Sequence, residues 1–112
     1  MNKKILLINP KSFNYTLNYP YTGLFYIATV LKKNNFNVQV IDCDFKETNP
    51  FKKIEKFNPE ITGISCFSSS LKNCLDIAKY AKEKNSCVIL GGPHINAIKK
   101  AIIEFDIISW NL

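Results

Sequence analysis

The residues best suited to chemistry include four cysteines, but their spacing forms no recognised reactive pattern. Cys43, Cys66, Cys74 and Cys87 make neither a Cys-x-x-Cys redox pair nor a zinc-type ligand set. Three of the four lie within or at the end of short apolar runs. We therefore interpret the cysteines as small buried apolar residues, with no metal site among them.

The single histidine, His94, would have to serve any mechanism that needs an imidazole base. Nothing at a characteristic spacing pairs an acid or a nucleophile with it. We therefore assign no catalytic residue. His94 is better explained as a residue that bonds the backbone or the edge of a ligand.

Two other segments carry groups that a ligand could use, and each also has a purely structural explanation. Ser68, Ser69 and Ser70 could bond a phosphate or ribose, or they could cap the helix that follows. Gly91 and Gly92 remove two side chains after an apolar run, so a bulky ligand could approach the backbone there. A tight turn would use the same glycines, although this placement favours the ligand.

The segment from Asn9 to Tyr21 is long for a loop between a strand and a helix, and it contains Tyr15, Tyr19 and Tyr21. It could lie along a planar ligand. It could equally fold compactly on its own side chains.

Short apolar runs alternate along the chain with stripes of helical period, which is typical of βαβ units. The stripes predict four helices, and the runs predict five strands. The predicted helices follow the apolar stripes at 24–31, 51–57, 71–81 and 95–105, and the predicted strands are 5–8, 38–41, 61–67, 88–90 and 106–110.

Strict alternation predicts an α/β fold with a doubly wound, flavodoxin-like, five-stranded parallel sheet of order 2-1-3-4-5 that lacks the last helix. Such sheets bind ligands beyond the carboxyl ends of their strands. The loops at 9–23, 66–70 and 91–96 meet there. The sequence does not support a phosphoacceptor receiver domain, because no cluster of carboxylates that could hold magnesium follows strands one and three. It does not support a dinucleotide-binding domain either, because the Gly-x-Gly-x-x-Gly motif is missing after strand one.

Composition narrows the partners further. The 112 residues fit one domain, and the net charge of +6 comes from lysines alone, since the sequence contains no arginine. Without arginine forks, and with lysines spread along helix faces, we expect no nucleic-acid binding. No apolar run approaches the length that spans a bilayer, so we expect a cytoplasmic protein without membrane contact.

Several segments, in order, resemble the cobalamin-binding domain found at the amino end of radical S-adenosylmethionine enzymes. The resemblance covers most of residues 1–112. It lies in the segments Ile5-Leu6-Leu7-Ile8-Asn9-Pro10, Tyr19-Pro20-Tyr21-Thr22-Gly23-Leu24, Val40-Ile41-Asp42, Pro59-Glu60-Ile61-Thr62-Gly63-Ile64-Ser65 and Leu90-Gly91-Gly92-Pro93-His94.

The resemblance implies that cobalamin lies over the carboxyl edge, with its nucleotide tail beside strands three and four. The loop at 9–23 lacks the Asp-x-His-x-x-Gly motif that supplies a lower cobalt ligand in related families, which implies base-off binding. The implied cofactor-binding residues are Asn9, Pro10, Gly23, Ser65, Ser68, Ser69, Gly91, Gly92, Pro93 and His94.

The resemblance also implies that residues 1–112 are one domain of a longer radical S-adenosylmethionine protein. The chain has no Cys-x-x-x-Cys-x-x-Cys motif, so S-adenosylmethionine and the iron–sulfur cluster would bind a downstream domain, and this chain alone would not be an enzyme. The face without a fifth helix would mediate self-association or contact that domain. The alternative is a cofactor-free interaction or regulatory domain of the same fold.

Overall fold

A computed structural model describes residues 3–12, 22–67, 70–91 and 108–110, of which 22 and 108–110 are described by their backbone only. The strands are β1 (Lys4–Asn9), β2 (Asn37–Asp42), β3 (Ile61–Ser65), β4 (Cys87–Gly91) and β5 (Ile108–Trp110), and the helices are α1 (Thr22–Lys33), α2 (Pro50–Phe57) and α3 (Leu71–Glu83).

All strand pairs are parallel, and β1 and β3 lie at the centre, with β2 beside β1 and β4 beside β3. This arrangement confirms the predicted parallel α/β sheet and the order 2-1-3-4 of its first four strands. The short β5 pairs with Ile89, Leu90 and Gly91 on the outer side of β4. The helix predicted at 95–105 lies outside the described residues.

The two faces of the sheet carry separate apolar clusters, because successive side chains of a strand point to opposite faces. One cluster contains Leu6, Ile8 and Ile64 together with Ile54 of α2 and Ile77 of α3. The other contains Ile5, Leu7 and Val38 with Leu24 and Ala28 of α1. We call these the α2/α3 face and the α1 face.

Each described helix is followed by an asparagine in the left-handed conformation. Asn35, Asn58 and Asn85 adopt positive φ values of 68°, 52° and 63°, in the left-handed region that usually favours glycine. Backbone N–H groups at these ends return to the last turn, as from Asn58 to the carbonyl of Ile54 at 2.9 Å. Asparagine therefore ends helices in a chain with only four glycines.

The structure excludes one of the two roles that the sequence left open for Ser70. Ser70 stands at the N-cap position of α3 but makes no capping hydrogen bond, because its hydroxyl bonds the backbone of Phe67 instead. The predicted burial of Cys87 was wrong: it is exposed at the amino end of β4, whereas Cys43, Cys66 and Cys74 are buried as predicted. The first position of a strand is covered poorly by the helices that pack on the sheet.

Candidate functional site

The last residues of the first four strands, β1 to β4, form a row across the carboxyl edge of the sheet. Asn9 is paired in register with Asp42, and Ser65 with Gly91. Ile8 is paired with Ile64, so Asn9 and Ser65 are neighbours. Alternation from the buried apolar positions places all four residues on the α1 face.

The side chains of this row are of equal size on β2 and β1, where aspartate and asparagine stand, and become smaller at serine on β3 and glycine on β4. Gly63 lies on the same face of β3, two residues before Ser65, in register with Leu7 and Ile89. The α1 face therefore has little side-chain volume along the ends of β3 and β4. We call Gly63, Ser65 and Gly91 the small-residue groove.

Hydrogen bonds connect the polar members of the row. The Asn9 Nδ2 group donates to Asp42 Oδ1 at 2.9 Å, and the Ser65 hydroxyl donates to Asn9 Oδ1 at 3.0 Å. Asn9 and Ser65 are at most 1% exposed and Asp42 is 8% exposed. The buried amide and hydroxyl are thus bonded, as buried polar groups must be.

The loop after β2 is fixed by carboxylates. Asp42 Oδ1 also accepts from the backbone N–H groups of Asp44 and Phe45, at 3.2 and 3.3 Å. Both carboxylate oxygens of Asp44 accept from Ser12, one from its N–H and one from its hydroxyl, each at 2.9 Å. The first residues after β1 are therefore held against the loop that follows β2.

The thiols near this edge have pKa values shifted in different directions: the hydrogen bond with Cys74 lowers the pKa of the Cys66 thiol, whereas the pKa values of Cys43 and Cys74 are raised. Burial, reinforced by the carboxylates of Asp42 and Asp44, raises the pKa of the Cys43 thiol to about 11. A hydrogen bond with Cys66 and burial together raise the pKa of the Cys74 thiol. Over the described ranges, no group of three or more histidine, cysteine or acidic side chains could hold a metal ion.

A cavity of about 180 Å³ opens near the same edge but on the α2/α3 face. Its walls include Cys43, Phe51 and Ile77, and Lys11 and Glu47 also line it. None of the predicted cofactor-binding residues that the structure describes, Asn9, Pro10, Gly23, Ser65 and Gly91, lines it, so this cavity is separate from the row on the α1 face.

The structure brings together several of the predicted residues. Asn9, Ser65 and Gly91 lie in the row, buried Pro10 follows Asn9, and half-buried Gly23 lies in the first turn of α1. Ser68, Ser69, Gly92, Pro93 and His94 lie outside the described residues, as does the tyrosine-containing loop at 13–21. Sequence reasoning did not assign Asp42 and Gly63 to the site, although Asp42 could have been found as a polar residue that ends a buried strand.

A flavodoxin-like parallel sheet with small and polar residues at its carboxyl edge defines a ligand-binding domain of the doubly wound class. The sequence profile of the B12 binding domain family matches residues 13–109. The chain therefore belongs to the B12-binding domain family.

Similar proteins are much longer than this chain. An uncharacterized methyltransferase of Pyrococcus horikoshii is 35% identical over 81 residues, which are 68% of this chain and 17% of the relative. Cytidylyl-2-hydroxyethylphosphonate methyltransferase of Streptomyces wedmorensis is 27% identical over 130 aligned residues, covering 91% of this chain and 24% of that enzyme. The chain thus spans about a quarter of these relatives or less.

Two solved structures of TsrM, a radical S-adenosylmethionine methyltransferase from Kitasatospora setae, share the fold. One holds tryptophan substrate and a SAM analogue, and it matches with a TM-score of 0.71 at 16% identity, covering 95% of this chain and 22% of TsrM. The other holds cobalamin and a 4Fe-4S cluster, with a TM-score of 0.71 and 18% identity, covering 96% and 23%. The part of the chain that the structure describes contains no helix long and apolar enough to cross a membrane.

Proposed function

We propose that this chain is the cobalamin-binding module of a radical S-adenosylmethionine enzyme, with the cofactor at the carboxyl edge of the sheet. The observation that carries the proposal is the small-residue groove. Glycine at positions 63 and 91 leaves the space that a Cβ atom and a longer side chain would fill, beside the two strands predicted to receive the nucleotide tail. In such an enzyme cobalamin serves as the methyl carrier.

The remaining predicted contacts belong to the same proposal. Asn9, Pro10 and Gly23 would border the corrin near β1 and α1, and Ser68, Ser69, Gly92, Pro93 and His94 would complete the rim. Base-off binding is supported by the absence of any histidine between Asn9 and Gly23. We propose that no protein side chain serves as the lower cobalt ligand.

The wider setting is also part of the proposal. The length and names of the similar methyltransferases support a longer protein in which residues 1–112 form the cobalamin-binding domain. S-adenosylmethionine and the iron–sulfur cluster would bind a downstream domain, and the whole protein would be cytoplasmic. A five-stranded sheet without a last helix would leave part of the α1 face for self-association or for contact with that domain.

A cofactor-free interaction or regulatory domain is the second candidate. It is favoured by one observation: the side chains of Asn9, Ser65 and Asp42 form hydrogen bonds with one another without a ligand. A domain that has lost its cofactor could keep such a closed network.

The experiment that separates the two is titration of the purified chain with hydroxocobalamin. The proposal expects the visible spectrum of the base-off form and a higher thermal unfolding temperature as the cofactor saturates. No spectral change and no thermal shift at saturation would overturn the proposal and leave the cofactor-free candidate.

Variants of the groove locate the binding. Gly91→Leu should abolish cobalamin binding and Gly91→Ala should weaken it, because both fill the space at the end of β4. Gly92→Leu should also abolish binding. Cys87→Leu is the matched control, since it enlarges a side chain at the exposed opposite end of the same strand. Circular dichroism checks folding, and unchanged binding by folded Gly91→Leu would contradict the groove.

A further inference from the structure

The hydrogen bonds between Asp42, Asn9 and Ser65 have a fixed direction. An ionised carboxylate only accepts hydrogen bonds, whereas an amide can present either its NH₂ group or its oxygen, and a hydroxyl can donate one bond and accept two. The direction of the whole series is therefore decided at the member with the least freedom, which is Asp42.

Asp42 is held in place from its own loop. Its Oδ1 atom accepts from the N–H groups of Asp44 and Phe45 as well as from Asn9 Nδ2 at 2.9 Å. The NH₂ group of Asn9 must consequently face Asp42, and its Oδ1 atom must face β3. The Ser65 hydroxyl then donates to that oxygen at 3.0 Å.

The direction of these hydrogen bonds determines what the Ser65 hydroxyl can offer to a ligand in the small-residue groove. With its proton committed to Asn9, the Ser65 hydroxyl has only lone pairs left to offer, and Ser65 is paired with Gly91, which has no side chain. The row therefore presents a hydrogen-bond acceptor at the point where the α1 face has least side-chain volume. A hydroxyl or an amide N–H of a ligand fits such an acceptor.

We propose that Asp42 is a positioning residue for the cofactor site: it orients the Asn9 amide and thereby makes Ser65 an acceptor toward the bound cofactor. This inference rests on the proposed function, because it takes the small-residue groove as the place where cobalamin binds. Asp42 acts through Asn9 and Ser65 and does not itself contact the ligand.

Two changes between amide and carboxylate test the orientation. Asn9→Asp removes the NH₂ donor and places two carboxylates against each other, so hydroxocobalamin should bind about tenfold more weakly or worse. Asp42→Asn is the conservative counterpart, because its amide oxygen can still accept from Asn9 Nδ2 and from the N–H groups of Asp44 and Phe45, as Asp42 Oδ1 does. This variant should bind within about threefold of the original chain.

Asn73→Asp is the matched control. The Asn73 amide is exposed, lies on α3 and donates to the backbone carbonyl of Lys11 at 2.7 Å, away from the row. The same change of amide to carboxylate there should leave cobalamin affinity within about threefold. Urea unfolding of each variant separates a loss of affinity from a loss of fold.

A double-mutant cycle shows whether Asp42 and Asn9 act through Ser65. Ser65→Ala should weaken binding by about fivefold, the effect of one hydrogen bond, and Asn9→Asp should add little in that background. A purely structural role predicts that Asn9→Asp causes its full loss of affinity in the Ser65→Ala background as well.

The outcomes separate the two proposals. If the unmodified chain binds hydroxocobalamin and every folded variant binds equally well, the positioning role of Asp42 is overturned while the cobalamin site stands. If the unmodified chain does not bind, the proposed function is wrong and the positioning role falls with it.

Discussion

At the scale of single residues, the described thiols occupy contrasting environments. Cys43, Cys66 and Cys74 are at most 6% exposed, whereas Cys87 is exposed at the start of β4. The thiolate is the nucleophilic form of cysteine, so burial and a raised pKa both suppress reactivity. The carboxylates of Asp42 and Asp44 add to this effect at Cys43.

We expect iodoacetamide at pH 8 to modify exposed Cys87 first and Cys43 at least about 100-fold more slowly. The raised pKa of Cys43 lowers the fraction of its reactive thiolate by about 100-fold, and burial hinders access of the reagent. Peptide mass spectrometry after timed quenching measures both rates. Cys87→Ser should remove the fast phase. Equal rates for both thiols would contradict the described burial.

The raised pKa of Cys43 also determines how the free energy of unfolding changes with pH. The Cys43 thiol ionises near pH 9 in the unfolded chain and at about 11 in the folded one, so its contribution is complete below pH 9. The free energy of unfolding should therefore decrease between pH 9 and 11.

The predictability of the site differed from residue to residue. The position of Asn9, Ser65 and Gly91 at the carboxyl edge could be predicted because each ends an apolar run, and parallel strands bring their ends to one edge. The hydrogen bonds of Asp42 could not be predicted, since register and hydrogen-bond direction emerge only when β2 lies beside β1. The sequence left capping by Ser70 open for a similar reason: the Phe67 backbone competes locally for its hydroxyl.

At the scale of elements, α2 depends on its first residues. Asn49 accepts from the N–H groups of Phe51 and Lys52 at 3.0 and 3.2 Å, and Pro50 begins the helix. The helix has only eight residues and packs on the α2/α3 face through buried Ile54 and half-buried Phe57, so its stability also depends on the N-cap.

Asn49→Ala should lower the free energy of unfolding by about 1 kcal/mol, because two backbone N–H groups lose their acceptor. Urea denaturation followed by circular dichroism measures the change. Lys52→Ala, at an exposed position of the same helix, serves as the control and should stay within about 0.5 kcal/mol. An equal effect of the two substitutions would contradict the capping role.

Element boundaries were predictable to within a few residues wherever apolar periodicity was clear. The helix predicted at 24–31 extends over Thr22–Lys33, and the strand predicted at 61–67 ends earlier, at Ser65. Cys66 and Phe67 were predicted to continue the strand because they are apolar. The chain instead leaves the sheet after Ser65. The apolar character of single residues does not reveal how the segment between β3 and α3 packs.

At the scale of the whole molecule, α1 has an apolar outer side. Phe25, Tyr26 and Val30 are 43%, 73% and 44% exposed, although the inner side of the same helix packs on Leu7 and Val38. Apolar groups clustered on an outer surface are typical of a contact with another protein surface.

If the outer side of α1 takes part in the proposed self-association, the isolated chain should sediment as a concentration-dependent mixture of monomer and larger species. Tyr26→Lys with Val30→Lys should shift this mixture to monomer, because two charges would have to be buried in the contact. Lys52→Glu with Lys56→Glu, on exposed positions of α2, controls for altered charge. A strictly monomeric chain at high concentration would contradict self-association.

The central claim is that cobalamin places its nucleotide tail on the α1 face, beside β3 and β4. The most direct measurement is an isotope-edited nuclear Overhauser spectrum of the labelled chain saturated with hydroxocobalamin. The account predicts contacts between the dimethylbenzimidazole protons and the methyl groups of Leu7 and Leu24. Contacts to Ile54 and Ile77 on the opposite face, or no contacts at saturation, would contradict it.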